Sequence, residues 1–238
     1  MLFFNRKHRV CKSGIFNGKT DVHCHLLPGV DDGSPDISHT RRLLQFLGEL
    51  GYSHLWLTPH VMADLENTTE SLTKRFGELK EEYHGMMRLD LAAEYMMDAR
   101  FDEHLHGTPL RLGKEHLLVE TSYISGPPDL RDILLDVWHH DFHPLIAHPE
   151  RYAYMELEDY EDLKAQGYEF QLNLMSLSGY YGKRPKIVAE DLLERGMYDF
   201  IGSDLHHLHY YADTMEDFKL SKEQLDALDQ LLENNANV

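Results

Sequence analysis

The chain has 238 residues, 42% hydrophobic and 11% aromatic, enough to bury a full core within a single domain over 1–238. Its 41 acidic against 23 basic residues give a net charge of -18, which repels polyanions and argues against a nucleic-acid binder. Two cysteines, Cys11 and Cys24, in a sequence without an apolar run suited to a signal peptide or a transmembrane segment, point to a reducing cytoplasm.

In chain order, Met1 to Arg9 pairs apolar residues with a basic cluster. A weak membrane-surface anchor is one reading of it and a frayed terminus the simpler one, so residues 1–18 are expected to be a flexible N-terminal segment. Short apolar segments then read as buried strands: Thr20 to His25, His54 to Thr58, Leu89 to Glu94, His116 to Glu120, Pro144 to His148, Glu169 to Leu174 and Asp199 to Gly202. Amphipathic helices are expected between most of them, at Ile37 to Leu50, Leu65 to Met87, Pro128 to Trp138, Glu158 to Gln166 and Pro185 to Arg195, with a closing helix from Ser221 to Leu232. Regular alternation of strand and helix implies a parallel sheet, and about seven such units in this length favour a closed α/β barrel over an open doubly wound sheet.

Nearly every expected strand ends in a residue able to bind a metal. The strands yield Asp21-Val22-His23-Cys24-His25, Thr58-Pro59-His60, Glu94, Glu120, His148 and Ser203-Asp204-Leu205-His206. In a parallel barrel the carboxyl ends of the strands meet at one face, so these side chains are expected to converge there. A lone His or Glu at a strand end is ordinarily a solvated surface residue. Repetition at strand after strand is different, because packing alone selects Val or Ile there. His23 and His25, at spacing i, i+2, share a side of the sheet. Imidazole and carboxylate without thiolate suit Mn²⁺, Fe²⁺, Co²⁺ or Zn²⁺. Such ions orient phosphate and acidify bound water. His39, His84, His104, His116, His139, His140 and His209 have no comparable placement and read as surface or supporting residues.

The segment from Asp21 to Gly33, with Asp21-Val22-His23-Cys24-His25 followed by Leu-Pro-Gly-Val-Asp-Asp-Gly, resembles the opening signature of the polymerase and histidinol phosphatase (PHP) superfamily, and within it the bacterial capsule-type metal-dependent protein-tyrosine phosphatases. The likeness continues through Leu57-Thr58-Pro59-His60, Ala93-Glu94, Leu118-Val119-Glu120, Ala147-His148-Pro149-Glu150-Arg151-Tyr152, Gln171-Leu172-Asn173 and Gly202-Ser203-Asp204-Leu205-His206. It implies a distorted seven-stranded, TIM-like PHP barrel holding two or three divalent ions, with manganese the first choice. By the same resemblance the first ion takes His23, His25, Glu94 and Asp204, the second shares Glu94 and adds Glu120 and His148, and the third takes Asp32, His60 and His206. Arg151 matches the arginine that clamps the phosphoryl group. The implied activity is hydrolysis of phosphotyrosine by metal-bound hydroxide, on a tyrosine kinase of exopolysaccharide or capsule synthesis as partner.

One departure stands out. Relatives often carry another basic residue after the final Asp-x-His, whereas here His207-Leu208-His209-Tyr210-Tyr211 follows, so either a protonated His207 or His209 stands in for a second clamp or the substrate preference differs. The alternatives are a PHP phosphatase for a small phosphate monoester such as histidinol phosphate, and a non-catalytic metal-binding module. An amidohydrolase would want a lysine at a strand end, and none is expected. Cys24 is not followed after five residues by the arginine that a cysteine-based tyrosine phosphatase needs, so it is read as a small apolar residue behind the site.

Overall fold

The pleat of each strand decides which residues face inward, and the helices close over the other side. The computed structural model describes residues 7–238. The order is β1 (His8–Arg9), β2 (Thr20–Cys24), α1 (Ile37–Leu50), β3 (His54–Leu57), β4 (His60–Val61), α2 (Thr69–Glu82), β5 (Arg88–Leu91), β6 (Glu94–Met96), α3 (Phe101–Leu105), β7 (His116–Glu120), α4 (Leu130–His139) and β8 (His143–Ala147). Then come α5 (Leu157–Ala165), β9 (Glu169–Asn173), α6 (Lys183–Glu194), β10 (Phe200–Gly202), α7 (Leu208–Asp217), β11 (Lys219–Leu220) and α8 (Lys222–Asn234). Local signals set several ends. Asp36 caps α1 by accepting from the His39 amide at 2.7 Å, and Ser221 with Gln224 forms a reciprocal cap on α8.

A six-stranded parallel sheet runs β10-β9-β8-β7-β6-β4 and a three-stranded one runs β2-β3-β5. The two are linked because β3 and β4, and β5 and β6, are successive pieces of the same two chain segments. Pro59, which has no amide hydrogen to give, interrupts the first, and Ala92-Ala93 the second. The Ala92 amide still donates to Leu57 O at 2.9 Å and the Glu94 amide to Pro59 O at 3.0 Å, carrying the curl across the break. At the other edges, the His25 amide reaches Leu205 O at 3.0 Å and the Asp204 amide reaches His23 O at 2.8 Å.

The helices cover the outside of the curl and share a large core with alternate strand residues, including Leu55, Leu57, Leu117, Val119, Phe170 and Leu172. On the concave side a smaller apolar cluster of Val22, Ala92, Leu118, Leu145, Ala147 and Phe200 packs with Trp56. This plug divides the polar residues at the amino ends of the strands from those at the carboxyl ends.

Three expectations need correction. The stretches 54–58 and 89–94 are not unbroken strands, for the reason just given. Helices α3 and α7 and the antiparallel pair β1–β11 were not expected; all are short or weakly patterned. The segment 1–18, expected to be flexible, is packed over residues 7–18: His8 and Arg9 pair with Leu220 and Lys219, and Val10 and Phe16 are fully buried. Met1 to Arg6, which carry most of the candidate membrane anchor, lie outside the described residues.

Candidate metal centre

His23, His25, His60, Glu94, Glu120, His148, Asp204, His206 and Asp32 all come together at the carboxyl ends of the strands, in four overlapping groups. These are His25 with Asp32, His60 and His206; His23 with His25 and Asp204; His23 with Glu94 and His148; and His60 with Glu94 and Glu120. The overlap differs from a simple partition, since His25 joins the group of Asp32 and His60 stands with Glu120. Asp32 is the outermost member, with a largely exposed side chain whose oxygen lies 3.4 Å from His206 Nε2 and 3.6 Å from His60 Nε2.

Local backbone aims these groups. A bulge between Asp21 and Cys24 breaks the register of β2 against β3, so Val22 joins the inner plug while Cys24 packs in the helix-side core. His148 and Asp204 both have left-handed backbone, with φ of 34° and 50°, a conformation costly for residues with a Cβ. Gly202 and Gly33 are needed for close approach: a Cβ on either would collide, with the His23 side chain in one case and the His25 carbonyl in the other.

The hydrogen bonds settle which imidazole nitrogens face the centre. His23 Nδ1 lies 2.8 Å from Gln171 Oε1, and His25 Nδ1 lies 2.9 Å from Asp31 Oδ2. Both partners are acceptors, so each Nδ1 carries a proton, and when the ring is neutral each Nε2 presents a lone pair. Yet the two Nε2 atoms are only 3.0 Å apart, and Glu94 Oε2 lies 3.3 Å from each. Asp204 Oδ1 adds another oxygen 3.5 Å from His23 Nε2 and 3.4 Å from His25 Nε2. Lone pairs packed this way repel unless a proton or a cation sits among them. His60 Nδ1 is 3.0 Å from Glu94 Oε2 and 2.9 Å from Glu120 Oε1, but His60 Nδ1, Glu94 Oε2 and both Glu120 oxygens lack hydrogen-bond geometry to any partner. Buried polar atoms are rarely orphaned, and here they share a centre. The donor set therefore fits divalent ions.

Without ions, protons take their place. Burial and the neighbouring His25 push the His60 imidazole down, but Glu94 and Glu120 outweigh them and hold it up at about 10. Burial works against ionising Glu94 and Asp204; the surrounding imidazoles overcome it and keep both carboxyls well below the usual range. Burial raises Asp21 to about 6 despite the amides of Ser203 and His23 that it accepts.

Arg151 stands beside the cluster. Its Nη1 donates to Asp204 Oδ2 at 2.7 Å, and its guanidinium carbon lies 4.2 Å from the ring centre of Tyr123 and 4.1 Å from that of Tyr181. Glu150 does not pair with it. Fully buried, Glu150 accepts from the Asn173 amide at 3.0 Å, Ser176 Oγ at 2.7 Å and Tyr198 Oη at 3.1 Å, pinning the turn that carries Arg151. Asn173 Nδ2 also donates to Asp204 Oδ2 at 2.7 Å. The orienting roles of Gln171, Asp31, Glu150 and Asn173 went unread in the sequence, although all four fall inside motifs already singled out. His207 and His209 are exposed, and His207 stacks edge-on to His39, so neither joins the cluster. Cys24 is fully buried, with Sγ 3.3 Å from Trp56 O, and burial pushes its thiol well up.

Residues 19–237 match the family described as capsular polysaccharide synthesis, CpsB/CapC. The tyrosine-protein phosphatase YwqE of Bacillus subtilis is 25% identical over 212 residues, covering 79% of this chain and 77% of its own. A solved structure from work on YwqE of Bacillus subtilis and CpsB of Streptococcus pneumoniae, described as metal-dependent tyrosine phosphatases, superposes with a TM-score of 0.70 at 23% identity, covering 90% of this chain and 94% of that one. The histidinol phosphate phosphatase of Lactococcus lactis, solved with zinc, histidinol and phosphate, gives a TM-score of 0.51 at 15% identity, covering 91% and 93%. At such identities the structural likeness is one of fold. The family match spans nearly the whole chain, which therefore belongs to the CpsB/CapC family of capsular polysaccharide synthesis.

Proposed function

We propose that this chain is a cytoplasmic, metal-dependent protein-tyrosine phosphatase of one domain, acting on a tyrosine kinase of capsule or exopolysaccharide synthesis. The observation that carries the reading is the meeting of the His23 and His25 lone pairs with Glu94 and Asp204 beside an arginine. Family membership and the relatives named as tyrosine-protein phosphatases support the reaction. The contacts from β2 to the segment after β10 support a closed seven-stranded barrel, with β3–β4 and β5–β6 each counted once. Free Cys11 and Cys24 suit a reducing compartment, and no described helix is long and apolar enough to cross a membrane.

In this reading His23, His25, Glu94, Glu120, His148, Asp204, Asp32, His60 and His206 hold two or three ions, manganese foremost. Divalent ions in such a site supply Lewis acidity and bring the pKa of water toward neutral. Gln171 and Asp31 fix the imidazole tautomers beforehand, so no reorganisation is needed on binding. Arg151, braced by Glu150 through its turn and flanked by two rings, offers the free edge of its fork to the phosphoryl oxygens, where charge develops during transfer. Cys24 faces away and takes no part.

The test is hydrolysis of a phosphotyrosine peptide and of histidinol phosphate in parallel, after chelation and again after adding Mn²⁺. Loss on chelation, return with Mn²⁺ and preference for the peptide are expected. Full activity in verified metal-free protein would overturn the mechanism, and preference for histidinol phosphate would overturn the substrate.

A further inference from the structure

We propose that Tyr123 and Ile124, on the loop after β7, are the residues by which the site selects an aryl over an alkyl ester of phosphate; the inference rests on the phosphatase reading above. Tyr123 borders both halves of the chemistry. Its ring centre lies 5.8 Å from that of His148 and 4.2 Å from the Arg151 guanidinium carbon. It is nevertheless 38% exposed, and Ile124 beside it is 83% exposed. Few large apolar side chains among the described residues are open to solvent, and two of them, Tyr123 and Ile124, are consecutive on the loop after β7.

The wall is held in place. Tyr123 O accepts from the Ala153 amide at 2.7 Å, and Thr121 Oγ1 at the base of the loop lies 2.6 Å from Tyr154 Oη. The Tyr181 ring also lies against the guanidinium, at 4.1 Å, and is itself tied to Asn173 Nδ2 at 3.1 Å. With two rings packed against it and Nη1 committed to Asp204, phosphoryl oxygens meet the fork along its remaining edge. An ester group extending from there to solvent passes Tyr123. A planar aryl group packs on the edge of that ring and against Ile124, whereas a short alkyl chain covers little of either.

The experiment compares kcat/KM for phenyl phosphate and ethyl phosphate, with Mn²⁺, in the parent, Tyr123→Phe, Tyr123→Ala and Ile124→Ser. Metal content is measured on each. The aryl-to-alkyl ratio should fall about tenfold in Tyr123→Ala, mostly through KM for phenyl phosphate, and stay near the parent's in Tyr123→Phe. Ile124→Ser, which leaves the guanidinium untouched, should lower the ratio by a smaller factor of about three. A Tyr123→Ala variant that slows both substrates equally, with an unchanged ratio, would make Tyr123 a support for Arg151 only and overturn the inference. A parent inactive on both esters would instead overturn the phosphatase reading beneath it.

Discussion

At the amino ends of the strands, His54 Nε2 lies 2.9 Å from Asp90 Oδ2 with its Nδ1 3.3 Å from Thr20 Oγ1, and His116 Nε2 lies 2.9 Å from Glu169 Oε2 with His143 Nε2 at 3.6 Å. At the carboxyl ends, beyond the plug of Val22, Trp56, Leu118 and Leu145, Glu94 alone lies within 3.3 Å of nitrogens from His23, His25, His60 and His148. The residue types are the same at both ends. Their arrangement is not: at the amino ends each of these carboxylates has one close imidazole in hydrogen-bond geometry, Asp90 and Glu169 keep about a quarter of their side chains in water at 27% and 25%, and none of His54, Asp90, His116, His143 or Glu169 belongs to a converging group of three ligand atoms. The first pattern closes the bottom of the curl with separate polar pairs, in which only the buried His116 Nδ1 and His143 Nε2 find no hydrogen-bond partner. The second leaves lone pairs facing one another in a buried space, which only positive charge resolves. Histidine and carboxylate content is therefore a poor guide to a metal site, and convergence of unsatisfied lone pairs a good one.

The sharpest way to break this comparison is to remove one member of the convergent set. His148→Ala should lose bound metal and bring phosphatase activity to background, read by metal analysis and turnover; retention of full metal would remove His148 from the cluster. Arg151→Ala comes next. It should keep its metal yet lose about 10²-fold or more in kcat, with Arg151→Lys recovering little because an ammonium cannot present the planar edge. Equal metal loss in the Arg151 and His148 variants would end the division between holding ions and clamping phosphate.

Much of the convergent end was legible in the sequence, because strands ending in His or Glu at one face can be read from alternation and chain order alone. The amino-end pairs were not. His54, His116 and Glu169 open their strands, where polar residues are ordinary, and nothing in the spacing shows that His116 and His143 meet one carboxylate. The break of β3 from β4 was foreshadowed by Pro59 but hidden by the apolar run before it. Gln171 sits within a strand as a polar residue among Phe170 and Leu172, the one sign of its contact with His23.

A smaller effect should follow from that contact. Gln171→Ala frees the His23 tautomer and is expected to weaken metal binding by about 10- to 100-fold without emptying the site at saturating Mn²⁺, as read by titration. Unchanged affinity would mean that His23 is held some other way.

The smallest effect is on stability against pH. In metal-free protein His60 is held at about 10 against an ordinary 6.5. A raised pKa contributes stability that is fully present below the unfolded value and is lost as pH rises through the folded one. The melting temperature of the metal-free protein should therefore fall between about pH 6.5 and 10 more than that of the Mn²⁺-loaded protein, in which ions have replaced the protons. Parallel curves would show that no such protons are held.

The measurement that bears most directly on the difference between the two ends is metal content after loading with Mn²⁺ and desalting, in the parent, His148→Ala and His116→Ala. The account predicts roughly two to three ions per chain in the parent and in His116→Ala, and a clear deficit in His148→Ala. A parent that holds none, or a His116→Ala variant as depleted as His148→Ala, would contradict it.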